Sequence, residues 1–413
     1  MRTLLVTAAL LLSTPAIAAT PPAPVEGEVM LPASGGRPQM VVPPQADAVL
    51  YHHMLEAMVG RSMELSDFAW LDKKASQYLH ERTRTPVGEW ALEDFYGQFD
   101  NCGCGQGVDE RLIQRLKDKA LAWAKQFPNS SAPHMVYALL LSQEAWRARG
   151  GGFADTVSGD GWQTFHAKLA EELAYLDARK NLLESDPQYY VERSSILANT
   201  GAPRAQWQAV LREGRDRFPD YQPLYMAEAN LDLPKWGGTY DQLDDLVDEA
   251  VARTHKEYGA QFYSYIYARL ANSGQLGPNP FVESRLDWPH LFSSYQERLL
   301  LHPDPATYRN VFFYACLAGD RSAGRILIPH VQGFMPGLWA SQAQIDACKD
   351  WMQRSDATPP PMDAYVDLGK PHTLRPQTGA EPPVIVSPAH YIGFIIGEWI
   401  RGVAAAIAAY FAR

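Results

Sequence analysis

Four groups of residues in this chain have the types and spacing to do chemistry. The first surrounds a glycine-rich stretch, Gly150-Gly151-Gly152-Phe153 through Gly159-Asp160-Gly161-Trp162. Its flanks carry Trp146, Arg147, Trp162 and His166, with Glu171 and Glu172 just beyond. Aromatic faces beside charged groups can hold a peptide or a sugar, and an imidazole among them can act as a base. The plainer reading is favoured: the loop closes a helix pair, the indoles pack, and Arg147 pairs with an acid. The second group is Leu233-Pro234-Lys235-Trp236-Gly237-Gly238-Thr239. Two glycines permit positive φ and a sharp change of direction. Lys235 and Trp236 could line a groove, although Trp236 as a plug between successive helix pairs is favoured.

The third group is an acidic run, Asp241, Asp244, Asp245, Asp248 and Glu249. Calcium would take its oxygens from a loop of EF-hand spacing, which is missing. A solvated helix start, stabilised by the helix dipole, fits better. The fourth is the cysteines, Cys102-Gly-Cys104 together with Cys316 and Cys348. Three pairings are possible. Cys316 and Cys348 each fall in a helix-like segment, and two antiparallel helices could join them, so that disulfide is the favoured one. Cys102 and Cys104 then pair in a tight ring or stay free. A metal reading lacks a second Cys/His pair at usable spacing.

No motif names a reaction. The chain has no His-Glu-x-x-His, no Gly-x-Ser-x-Gly elbow and no Walker lysine. Gly103-Cys104-Gly105-Gln106-Gly107 follows no strand pattern. No catalytic residue, metal or cofactor is therefore assigned. A formal net charge of −10, without a Lys/Arg cluster, points away from nucleic acid.

The elements that position these residues read as helices. The apolar fraction is 46 %, enough for a packed core over most of the 413 residues. A turn signal recurs at Phe127-Pro128-Asn129-Ser130, Asp186-Pro187-Gln188-Tyr189, Phe218-Pro219-Asp220-Tyr221 and His302-Pro303-Asp304-Pro305. Each lies between amphipathic stretches, and each Pro marks where a helix must end. Pro187 and Pro219 stand close to the ~34-residue period of helix–turn–helix repeats. The expected fold is all-α: a tetratricopeptide-like superhelix of paired helices over 46–352. An amphipathic helix is expected over Phe68 to Thr83, ending at Thr85-Pro86, and another from about Trp90.

The flanks differ in character. Arg2, the apolar run Leu4 to Leu12 and Ala16-Ile17-Ala18 make residues 1–18 a secretory signal, cleaved before Ala19. Residues 19–45 are Pro-rich and read as a flexible linker, as do 353–389 with Pro359-Pro360-Pro361. In 390–413, Ile392, Ile396, Trp399, Val403, Ile407 and Tyr410 form one helical stripe. Glu398 and Arg401 near the middle favour an amphipathic helix over a transmembrane one.

Trp70-Leu71-Asp72 to Phe95-Tyr96, Trp146-Arg147-Ala148-Arg149-Gly150, Gly161-Trp162 and Leu233-Pro234-Lys235-Trp236-Gly237-Gly238 resemble segments of an uncharacterised bacterial family, domain of unknown function 4034. The resemblance spans about 65 to 270. It implies a tetratricopeptide-like helical fold and no known activity. The Cys102-Gly-Cys104 loop and the C-terminal helix depart from it.

These features point to a periplasmic or secreted interaction module that takes a protein or peptide in its concave groove. Tyr225, Trp236, Tyr263 and Tyr265 are the expected groove residues, and 390–413 is expected to dock on the protein, on a partner or on a membrane surface. Two alternatives stay open: an envelope hydrolase with its site near 150–166, and a structural protein anchored by the C-terminal helix.

Overall fold

In the structure, a computed structural model, residues 48–100, 110–150, 154–334 and 337–354 are described. All belong to one unit, residues 39–413. The signal segment, the 19–45 linker, Cys102 and Cys104, the C-terminal linker from residue 355 and the 390–413 helix lie outside the described residues.

Every described element is helical apart from one isolated antiparallel bridge between Arg84 and Trp90. The first part holds α1 (Ala48–Leu65), α2 (Phe68–His80), α3 (Ala91–Asp100), α4 (Glu110–Gln126) and α5 (Ala132–Arg149). Then come α6 (Gly159–Asp177), α7 (Lys180–Leu183), α8 (Pro187–Asn199), α9 (Arg204–Arg217) and α10 (Pro223–Asp232). The last part holds α11 (Tyr240–Tyr258), α12 (Gln261–Asn272), α13 (Pro280–Glu283), α14 (Trp288–Leu301), α15 (Pro305–Leu317), α16 (Arg321–Leu327) and α17 (Gln342–Gln353). Sequential neighbours pack on each other, notably α4 on α5, α5 on α6, α8 on α9, α11 on α12 and α15 on α16. Each helix buries one apolar face that it could not bury alone.

All four turn signals separate helices, but proline plays a different part from the expected one. Pro187 and Pro305 do not end a helix; they open the next. At the first helical position the missing N–H would be unbonded anyway. The aspartate before each caps the helix: Asp186 accepts from the Gln188 N–H, and Asp304 from the Thr307 N–H. The helix expected from Phe68 stops earlier than Thr83, at His80. Beyond it Arg82 takes a positive φ of 50°. That strain is held by an ion pair described below. The glycine-rich stretch is also shorter than expected as a loop, because Ser158 accepts from the Gly161 N–H and α6 begins at Gly159.

Two apolar cores result. One gathers residues from Leu55 to Leu224, and the other residues from Tyr225 to Met352. A polar seam crosses between them, made by the segment 82–93 lying against the second half. Asp220 is its centre. Its carboxylate accepts from Arg82 at 2.8 Å, from Arg84, from the Trp90 indole N–H at 3.3 Å and from the Tyr258 hydroxyl at 3.1 Å. Both guanidinium groups also lie over the Trp90 ring, 5.3 Å from its centre. Further along, Arg269 pairs with Glu93 at 2.6 Å. At the other end the Ala48 N–H donates to Asp304 at 3.0 Å.

The second core is cross-linked. Cys316 in α15 and Cys348 in α17 form a disulfide with Cα atoms 6.3 Å apart, both side chains fully buried. This is the pairing favoured from the sequence. Closing a loop of 32 residues restricts the unfolded chain by about 3–4 kcal/mol. Full reduction, or Cys316→Ser with Cys348→Ser, is expected to lower the stability read by urea unfolding by about that amount. No change would mean that the bond does not form in solution.

The seam generates a second expectation. Asp220→Asn leaves Arg84, whose side chain is only 11 % exposed, as a buried charge without its counter-ion. The cost expected in urea unfolding is about 3 kcal/mol or more. Asp216→Asn, which breaks an exposed pair with Arg253, should cost less than about 1 kcal/mol. Equal effects of the two changes would remove Asp220 from its central place.

Candidate functional site

The sequence-predicted residues do not converge on one place. Near the glycine-rich stretch, Trp146 and Trp162 come together around Phe165, with ring centres 4.9 and 5.7 Å from it. Arg149 lies over both indoles, 5.8 and 5.1 Å away. Arg149, two residues beyond Arg147, is thus the cation of this cluster. Arg147 turns aside to pair with Glu110 at 3.4 Å. His166 is exposed and stacks on Trp162, with ring centres 5.6 Å apart. No hydrogen bond from a described residue holds its imidazole in one orientation, as a poised base would require.

The second glycine segment is a 3₁₀ turn at Pro234–Trp236 with Gly237 left-handed at φ +82°. A β-carbon on Gly238 would run into the backbone of Asp232. Lys235 is exposed, and Trp236 packs half-buried on the second core. In the acidic run, Asp241 and Asp244 pair with Arg285, and the Tyr267 hydroxyl donates to Asp244. Among the described residues no three His, Cys, Asp or Glu side chains sit together as metal ligands would.

The expected groove tyrosines are spoken for by the chain itself. Tyr225 is fully buried and donates to the Pro219 carbonyl at 2.7 Å. The Tyr263 hydroxyl accepts from the Asp287 N–H at 3.0 Å. Tyr265 is buried beneath the segment 82–90 and donates to the Val87 carbonyl at 3.1 Å. The same carbonyl accepts from Arg298 Nε at 2.9 Å. Gln222 donates to the Gly88 carbonyl and accepts from the Trp90 N–H, both at 3.4 Å. A tight turn, closed by the Thr85 N–H donating to the Glu89 carbonyl at 2.8 Å and the Gly88 N–H to the Thr85 carbonyl at 2.9 Å, is therefore gripped through its backbone by side chains of α12, α14 and the turn before α10. Gly88, at φ +85°, is needed here, since a β-carbon would collide with the Tyr265 hydroxyl and the His302 ring.

The open cleft lies elsewhere, across α2. One cavity of about 350 Å³ runs between α2 and the turn Phe127-Pro128-Asn129-Ser130. A second of about 640 Å³ continues along α2 past Trp70, Lys73 and Gln77. Asp72, Ser76, His80 and Phe127 border both. Ser76 and His80 are exposed and one helical turn apart, so both face the cleft. Its floor is Asp186, fully buried. That carboxylate accepts from the Tyr96 hydroxyl at 2.6 Å and the Ser131 hydroxyl at 2.8 Å, besides capping α8. Burial pushes its pKa up, against the three hydrogen bonds that pull it down. Trp70 and Phe127 give the cleft aromatic edges, and Lys73 gives it a cation.

The turn signal at 127–130 pointed to one wall of this cleft. The other wall was missed. Its only sequence sign was the polar face of α2, Ser76 and His80 opposite the buried Leu71 and Ala75. No family model matches the chain, and no curated protein or solved structure matches it.

His302 makes the gripped segment sensitive to acid. Burial, then Arg298 and Arg84, hold its pKa down at about 4, against an ordinary 6.5. The neutral ring suits the folded state, so its share of stability is present above pH 6.5 and is lost as pH falls toward 4. That difference is worth roughly 3 kcal/mol. Asp94 acts in the opposite sense over the same range, because burial, then Glu89 and Glu93, push its carboxyl up to about 7. The measurement is therefore a comparison. Urea unfolding of the native chain and of His302→Gln at pH 7 and pH 4 should show the native chain losing roughly 3 kcal/mol relative to the variant. A pH-independent difference would contradict this account.

Proposed function

We propose that the protein is an exported module of tetratricopeptide-like helical repeats, periplasmic or secreted, that holds a protein or peptide partner. The observation that carries this reading is the grip on the chain's own segment 82–90. Arg298, Tyr265 and Gln222 bind its main-chain carbonyls. Main-chain contacts of that kind, here made to a turn, do not depend on the side chains of the segment held and so accept many sequences. The face expected from the sequence to take a partner is thus filled by the protein itself. The partner is assigned instead to the cleft across α2, where Trp70 and Phe127 offer aromatic anchors and Ser76, His80 and Asn129 offer hydrogen bonds. Aromatic anchors with a polar rim are the usual make-up of a protein-binding surface. The resemblance to the domain of unknown function 4034 family belongs to the same proposal.

A photo-reactive residue at Ser76 tests this in intact cell envelopes. One recurrent protein adduct is expected, reduced at least about tenfold by Trp70→Ala with His80→Ala in a chain of unchanged helix content. No protein adduct at Ser76, or an adduct indifferent to those two changes, would refute the cleft as the binding surface.

A further inference from the structure

α1 leaves an apolar stripe uncovered. Met54, Met58 and Leu65 are 55, 41 and 64 % exposed. Spacings of four and seven residues put them on one helical face, with Ala57 and Arg61 between them. The opposite face, with Leu55, Val59 and Met63, is in the first core. The stripe runs over twelve residues, Met54 to Leu65, or about 16 Å of helix.

We infer that this face is the seat of the chain's own C-terminal segment, residues 391–411. Three observations converge. The sequence of that segment carries a stripe of matching length, since Ile396, Trp399, Val403 and Ile407 also span twelve residues at helical spacing. The last described helix, α17, packs on α15, and α1 packs on α15 as well. Two such packing distances amount to about 20 Å. The 36 residues 355–390 reach about 30–36 Å as a random chain. The segment can therefore arrive at α1 without strain, at an effective concentration in the millimolar range. Charge fits too: Arg61 stands within the stripe, and Glu398 stands beside the other one. A bilayer is the poorer seat, because Glu398 and Arg401 would have to enter it or be held at its edge.

The inference is independent of the cleft across α2, and its test reads a different part of the protein. A photo-reactive residue replaces Met58 in the full chain, in the presence of phosphatidylethanolamine–phosphatidylglycerol vesicles. Mass spectrometry is expected to find an intramolecular adduct with a peptide from 391–411. A lipid adduct, an adduct joining two chains, or no adduct overturns the proposal. In a second measurement Met58→Asp, an exposed change, should speed proteolytic release of the C-terminal segment about tenfold while the melting temperature stays within a degree or two. Unchanged release would overturn the proposal as well.

Discussion

Taking two guanidinium groups out of water costs several kcal/mol unless a carboxylate meets them in good geometry. Asp220 does this for the buried Arg84 and also pairs with the partly exposed Arg82, with Trp90 beneath both cations and Tyr258 donating to the same carboxylate oxygen as Arg84. The arrangement ties a segment near the start of the described chain to a turn some 130 residues later. It also offsets the roughly 1–2 kcal/mol cost of the left-handed backbone at Arg82. The same side of the molecule is held by Arg269 on Glu93 and by Tyr265 and Arg298 on the Val87 carbonyl.

An aspartate recurs in three of the four turns. Asp186, Asp220 and Asp304 all lie in the repeated turns, and each receives a donor from the N-terminal part of the described chain. Tyr96 donates to Asp186, Arg82 and Arg84 to Asp220, and the Ala48 backbone to Asp304. Two of the three also cap a helix. One residue type in one turn thus starts a helix and anchors a distant segment. The fully buried Asp186 is the clearest case, since it floors the open cleft while satisfying three donors.

That anchoring decides which surface is free. Residues 82–90 lie on the inner aromatic side chains, with Tyr265 bonded to Val87, so aromatics that pattern suggests for a partner are used inside the molecule. The accessible cleft moves to α2, where polar side chains face Phe127 and the turn behind it. The neutral His302 beside Gly88 belongs to the same closed interface. Its imidazole stays neutral because two arginines and burial leave no room for another positive charge.

The sequence by itself determined the helical class and the four turns between helices, and it favoured the Cys316–Cys348 pair among three. These are local matters: apolar spacing, Pro-Asp turn chemistry and two cysteines in neighbouring helices leave a direct trace in the chain. It also indicated the Trp146–Trp162 packing, because the two indoles flank one loop. Only the tertiary structure decided that Pro187 and Pro305 open helices, that Arg147 turns to Glu110 while Arg149 serves the indoles, and that Tyr265 is covered. It alone brought Ser76 and His80 opposite Ser131 and Asp186. The helix starts at the two prolines are local capping, but the Arg147–Glu110 and Tyr265–Val87 contacts join residues 37 and 178 positions apart, and a buried aspartate looks the same in sequence as a solvated one. What separates them is which distant donor reaches the carboxylate, and only the packed fold sets that.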